Sequence, residues 1–214
     1  RGFADAMAFV QGGVNEFKVQ ATIEHGYAMA GGRGSAFPAI VGGGINSTVL
    51  HYESNDQDLV DGEVVCIDSG AFHNGYGADI SRTIPVSGTF SKRQKEIYEI
   101  VLRAEETTIA AVKPGVTFAE LDAIARAIIE KAGFGDFFIH GIGHHLGLET
   151  HDDCGPDAPL VKGSVITIEP GIYLPDEAIG VRIEDDILVT AKGRKNLSTA
   201  IPKTVAEIQK AMRR

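Results

Sequence analysis

The chain has 214 residues, 43% of them hydrophobic, which is enough to bury one sizeable core and short for two full domains. Its 29 acidic against 20 basic residues give a formal net charge of -9, which argues against a nucleic-acid partner because phosphate binding needs clustered Lys and Arg. No apolar run approaches the roughly 18 residues of a membrane span and no charged-then-apolar leader opens the chain, so a cytoplasmic address without membrane contact is expected.

In chain order, Arg1 opens inside a helix-like pattern with no residue in front to cap it, so a fragment or trimmed product is expected. Strands are expected at Val64 to Asp68 and Asp79 to Val86, joined by a turn at Gly75-Tyr76-Gly77. Ser91 and Gln94 form a capping box ahead of a helix running to about Val112. Thr117 and Glu120 form a second box, followed by Phe118, Leu121, Ile124, Ala125 and Ile128 at helical spacing, with Gly133 placed to end the helix. Two more strands are expected at Val165 to Glu169 and Val181 to Thr190. Strands joined by short turns, with the helices elsewhere, imply an α+β fold in which helices cover an antiparallel sheet. Cys66 and Cys154, one in a strand and one in an acidic loop, are too few for a disulfide framework or a four-sulfur site and read as ordinary thiols.

The chain also repeats itself. DGEVVCIDSG, from Asp61 to Gly70, lies over KGSVITIEPG, from Lys162 to Gly171, at an offset of 101, which sets Asp68 on Glu169. The segment from Gly13 to Gly31 lies over that from Gly115 to Gly133 at 102, and His51 in HYESND precedes its strand as His151 does in HDDCGPD. Three segments agreeing on nearly one offset imply two related halves, about 1-100 and 101-202, within a single unit spanning 1-214.

Asp68 and Asp79 flank one turn, and Glu169 and Glu184 are expected to do the same in the second half. Each acid taken singly is most simply a solvated surface carboxylate. Related halves that face each other gather all four, however, and four such charges repel unless cations hold them. HGIGHHLGLETHD adds His140, His144, His145 and His151, and a mixed carboxylate and imidazole set is compatible with two first-row divalent ions. His25, His73 and His145 are read as structural. Period-two alternation puts Arg182 on the same strand face as Glu184, where it can balance a ligand carboxylate or make an ordinary surface salt bridge.

As a set, HYESND, IDSGAFHNGYGADISRT, HGIGHHLGLETHD, IEPGIY and RIEDDILVT resemble the pita-bread metallopeptidases of family M24, in the aminopeptidase P and prolidase branch, from about Gly13 to Pro202. The resemblance implies the pita-bread fold, with Asp68, Asp79, His144, Glu169 and Glu184 as ligands of two divalent ions, Mn2+ first and Co2+, Zn2+ or Fe2+ as alternatives. It makes Asp79 and Glu184 bridging ligands and Glu169 also the proton acceptor. His51 and His151 match the family's substrate-side histidines, and His140, Tyr173 and Arg182 its accessory positions. The implied activity is hydrolysis of Xaa-Pro bonds at peptide N-termini by a metal-bridging hydroxide. Alternatives are an Xaa-Pro dipeptidase, a relative acting on a small amidino compound, and a non-catalytic binding module. The substrate partner is a peptide with proline second. The branch's separate N-terminal domain is expected to be absent, and a homo-oligomer is allowed.

Overall fold

Apart from the first, each described α-helix begins where a side chain satisfies backbone donors that the helix itself leaves free. In the computed structural model, which describes residues 1–152 and 158–213, the N-terminal half carries α1 (Gly2–Phe9) and α2 (Glu16–Met29). Asn15 caps α2 by accepting the Phe17 N–H. Strand β1 (Ile40–Gly43) and a 3-10 turn (Gly44–Thr48) lead to β2 (Val64–Ser69), the short strands β3 (Phe72–His73) and β4 (Tyr76–Gly77), and β5 (Ile80–Pro85). Both expected capping boxes form, at the start of α3 (Lys92–Ala111) and of α4 (Phe118–Lys131). Gly133, at φ 88°, closes α4 with Gly133 N–H on Glu130 and Phe134 N–H on Ile129, the pair of bonds that a left-handed residue makes at a helix end. The remaining elements are β6 (Val165–Ile168), β7 (Gly171–Leu174), β8 (Ile179–Arg182), β9 (Asp185–Thr190), β10 (Gly193–Asn196) and α5 (Val205–Ala211).

The sheets are antiparallel, in the orders β1-β2-β5 and β10-β9-β6, with small hairpins β3-β4 and β7-β8. Helix α4 occupies the range of α2 shifted by 102 residues, and β6 begins 101 residues after β2. In the first half Ile40 pairs with Asp68. In the second, residues 142–146 run along β6 in the place of β1, with Glu169 N–H on Ile142 (2.8 Å), Thr167 N–H on His144 (2.9 Å) and Leu146 N–H on Val165 (3.0 Å). Ile23, Val41, Val64, Ile84, Ile97, Leu121, Ile129, Ile166 and Ile187 are fully enclosed in one core between helices and sheets.

Three sequence expectations are corrected. The strand expected over Val181 to Thr190 is two strands, because β8 pairs with β7 while β9 pairs with β6 and β10; the break falls at Ile183 and Glu184. The turn assigned to Gly75-Tyr76-Gly77 lies at Asn74 and Gly75, both left-handed (φ 51° and 87°), and Tyr76–Gly77 is strand β4. Third, continuing the two ladders gives Asp68 the partner Ser81, whereas Glu169 and Glu184 leave theirs side by side beyond Ile168 and Asp185. Asp79 and Glu184 therefore do not occupy equivalent places in the two hairpins.

Candidate metal centre

The two halves meet along β5 and the β8–β9 junction, and this seam gathers the acids. Glu184 N–H donates to the Ser81 carbonyl (3.1 Å), and Arg182 N–H to Thr83 Oγ1 (3.1 Å). Asp68 lies near the end of β2, Asp79 just ahead of β5, Glu169 just past β6, and Glu184 between β8 and β9. His144 sits on the edge segment beside β6, where a side chain on the preceding Gly143 would run into the Thr167 carbonyl. Asp79, His144 and Glu184 each bring one ligand atom within 4.8 Å of the others. His144 Nε2 is 3.3 Å from Asp79 Oδ2 and 3.4 Å from Glu169 Oε1. Its Nδ1 is 2.9 Å from the His145 carbonyl, which can only accept, so Nδ1 carries a proton and Nε2 is left to face the carboxylates.

The electrostatics of the cluster suit a cation. Burial and the charge of Asp68 push Asp79 up to about 8. Burial and the charges of Asp79 and Glu169 drive Glu184 well above the carboxylate range, and burial raises Glu169 despite His144 and Arg182. Burial alone would depress His144, but its contacts with Asp79 and Glu169 outweigh this and lift it to about 9. Asp68 Oδ1 and Glu184 Oε1 are buried with no hydrogen-bond partner. Acids that repel one another into protonation, two orphaned carboxylate oxygens and an imidazole Nε2 turned toward them fit divalent metal.

Hydroxyls that the sequence reading missed hold these ligands. Thr167 Oγ1 accepts from His144 N–H and donates to Glu169 Oε1, each at 3.0 Å. Ser81 Oγ donates to Glu184 Oε2 and accepts from Arg182 Nε, each at 2.8 Å. Arg182 Nη2 donates to Asp68 Oδ2 at 2.8 Å, so this guanidinium balances a cluster carboxylate rather than making a surface pair. Asp186, pushed up to about 7 mainly by burial, accepts the Asp79 N–H at 3.3 Å. Period-two counting carried on from Arg182 and Glu184 reaches Asp186, and counted from Asp79 and Glu169 it reaches Ser81 and Thr167.

Of the other histidines, His140 has both nitrogens engaged. Its Nδ1 donates to the Gly141 carbonyl (2.8 Å) and its Nε2 accepts from Tyr173 Oη (2.8 Å), which in turn accepts from Arg182 Nη1 (3.0 Å). Burial lowers it to about 4, so it stays neutral and braces Tyr173 and Arg182. His51 and His151 line both cavities that flank the cluster, and the His151 ring centroid is 4.3 Å from that of His144. His25 and His73 are exposed and lie outside both cavities; His145 lends its backbone to the edge segment, pairing with Asp152 and Ile166. Cys66 is buried in β2, where burial raises its thiol and leaves it inert, and Cys154 lies outside the described residues.

One cavity, about 230 Å3, is lined by Leu50, His51, His140, His151 and Arg182 with Asp68 and Glu169. The other, about 200 Å3, is lined by Phe37, Pro38 and Glu53 together with Asp79 and Glu184.

An α+β fold that closes two halves on a carboxylate and imidazole cluster is the architecture of a metal-binding protein. Residues 1–191 match the model of metallopeptidase family M24, and the chain belongs to that family. It is 45% identical over 190 residues to the Xaa-Pro dipeptidase of Pyrococcus furiosus, across 87% of this chain and 54% of the relative. It is 38% identical over 227 residues to the Xaa-Pro aminopeptidase of Haemophilus influenzae, across 92% and 53%. Aminopeptidase P from E. coli, solved with the inhibitor Pro-Leu, superposes with a TM-score of 0.94 at 34% identity, over 99% of this chain and 55% of that one. The fold is therefore the pita-bread fold of aminopeptidase P. The chain spans about half the length of these relatives.

Proposed function

We propose that residues 1–214 form the catalytic unit of a metal-dependent peptidase that hydrolyses Xaa-Pro bonds at peptide N-termini. The observation that carries this reading is the convergence of Asp79, His144 and Glu184 within 4.8 Å, with Asp68 and Glu169 lining the cavities on either side. Asp68, Asp79, His144, Glu169 and Glu184 would hold two divalent ions. The carboxylate majority favours a hard ion, Mn2+ ahead of Co2+, Zn2+ or Fe2+. Such ions, when bound, supply Lewis acidity at the scissile carbonyl and lower the pKa of water.

The remaining steps belong to the protein's own side chains. The acid-lined cavity, with Glu53 at its wall, suits the substrate's N-terminal ammonium. The cavity lined by Arg182 and the histidines suits the proline and the chain after it. Glu169 accepts the proton of the attacking water, and Thr167 Oγ1 fixes one of its oxygens. His51 and His151 face the cleft from opposite halves, where either can donate to the oxygen that gains charge as the carbonyl becomes tetrahedral. His140, Tyr173 and Arg182 act by holding Asp68 in place.

The 45% identity to a dipeptidase supports a second reading, in which only Xaa-Pro dipeptides are cleaved. One experiment tests both: hydrolysis of Xaa-Pro dipeptides, Xaa-Pro tripeptides and Met-Ala-Ser by metal-stripped protein, with and without Mn2+ or Co2+. Metal-dependent cleavage of the tripeptides is expected. Cleavage of dipeptides alone selects the second reading, and cleavage of Met-Ala-Ser in preference to both overturns the proline assignment.

A further inference from the structure

Glu16, the first residue of α2, is 1% exposed, yet every group bonded to it is neutral. Its Oε1 accepts from Gly43 N–H (2.8 Å) and Asn46 Nδ2 (3.3 Å), and its Oε2 from Tyr52 Oη (2.9 Å) and Gln57 N–H (3.0 Å). A carboxylate enclosed without a cation is costly unless hydrogen bonds replace its hydration, and here four do. All four donors come from one segment, residues 43–57, which crosses from the end of β1 to the approach to β2. A second clamp works beside the first. Asn55, 2% exposed and left-handed at φ 46°, accepts from Val41 N–H (2.9 Å) and donates to the Ala39 carbonyl (2.7 Å) and to Gln20 of α2 (2.9 Å).

Between these clamps the chain turns His51 into the cleft, where it lines both cavities. Tyr52, its neighbour, is only half-buried. Water could hydrate the Tyr52 hydroxyl if Glu16 were absent, so the bond satisfies the buried carboxylate rather than the tyrosine. What it fixes is the backbone next to His51.

We propose that Glu16 is a positioning residue for the reaction: through Tyr52 it holds the backbone from which His51 reaches the substrate. This rests on the reading of His51 as substrate-facing. A side chain that acts on the transition state tolerates little displacement, so loosening its support costs rate rather than substrate binding.

The test is a double-mutant cycle on manganese-loaded protein cleaving an Xaa-Pro tripeptide. Tyr52→Phe, which removes one hydroxyl and leaves the fold intact, is expected to lower kcat about tenfold and to move KM by less than about twofold. Added to His51→Ala it is expected to cost nothing further, since the group it positions is gone. Glu16→Gln, whose amide meets the Gln57 N–H with a donor, should do the same more strongly; if it fails to fold, Tyr52→Phe carries the test alone. Losses that add in the His51→Ala background, or that follow a fall in Tm with no change in kcat on the folded fraction, overturn the proposal. If the unmutated protein cleaves no proline peptide, the functional reading has failed and the ring 15N–1H signals of the histidines decide separately. Displaced His51 signals with unmoved His144 signals in Tyr52→Phe support the positioning role, and unmoved His51 signals overturn it.

Discussion

Arg182 Nη2 donates to Asp68 Oδ2 at 2.8 Å, tying the end of a strand in the second half to the carboxylate that closes a strand in the first. The same guanidinium reaches Ser81 through Nε (2.8 Å) and Tyr173 through Nη1 (3.0 Å). A fork with three fixed donor directions holds a carboxylate, a hydroxyl and a phenol at once; an ammonium on a flexible stem cannot reproduce this. Arg182→Lys, which keeps the charge, is therefore expected to weaken Mn2+ binding by about 10- to 100-fold, the usual cost of losing a group that orients a metal ligand. Titration calorimetry with Mn2+ checks this, and wild-type affinity in the lysine variant would mean that charge alone matters.

Glu169 and His145 separate the centre from its scaffold. Glu169→Gln keeps the size and the bond to Thr167 but removes both a ligand charge and the proton acceptor, and a loss of at least about 10^2- to 10^4-fold in kcat is expected. His145 lies outside both cavities and contributes backbone pairing, so His145→Ala should stay within a few-fold of wild type. Steady-state kinetics on an Xaa-Pro tripeptide compares the two, and equal losses would reverse their assignments.

Stability of the metal-free protein should fall as pH rises. Asp79 binds its proton more tightly folded (about 8) than its ordinary value of 3.8, and His144 (about 9) more tightly than 6.5. For both, the folded state holds more protons than the unfolded state, so their contribution is greatest below their ordinary values and is lost as pH climbs through 8 and 9. Asp185, depressed because the pull of Arg82 and Lys203 outweighs burial, loses its contribution only at strongly acid pH, below this window. Thermal melts of metal-stripped protein from pH 5 to pH 9 should show a declining Tm. Mn2+ should recover more of it at pH 9 than at pH 5, since the cation takes the place of the protons. A flat profile would mean that the carboxylates are not packed as described.

Behind the centre, Arg82 is 0% exposed and bonded to Asp185 Oδ1 and the Glu184 carbonyl, each at 2.6 Å. Lys203 completes the group, 2.8 Å from both Asp185 and Glu105. Arg82→Met takes away the partner of Asp185 Oδ1, leaving Lys203 and Asn196 on Oδ2 alone, and is expected to cost about 3–5 kcal/mol. Arg93→Met breaks a pair with Glu177 whose partners are 39% and 40% exposed, and should cost less than about 1 kcal/mol. Urea denaturation distinguishes them, and similar losses would show that the buried network carries no special weight.

The helices were legible because their signals are local. Ser91 with Gln94, Thr117 with Glu120, and Gly133 each act within one turn, and each bond forms as its spacing implies. Strand ends were less legible. Whether Ile183 and Glu184 continue a strand depends on which neighbour each side pairs with, and that neighbour lies elsewhere in the chain. Hydrogen-bond direction was not legible either: His140 looks as available as His144 in HGIGHH, yet Tyr173 and Gly141 take both of its nitrogens.

What the sequence determined by itself was the chemistry on offer: four carboxylates and a cluster of histidines, in segments that repeat at an offset near 100 residues. Those signals survive without a structure because side-chain type, capping and periodicity are properties of neighbouring residues. Only the tertiary structure decided which groups meet, since Asp79 and His144 are 65 positions apart and Ser81 and Glu184 103 apart. Such contacts depend on the register of ladders closed by the whole core. Glu16 makes the same point, for its four donors come from a segment 27 to 41 residues away, and nothing in that spacing announces that a buried acid holds a histidine loop.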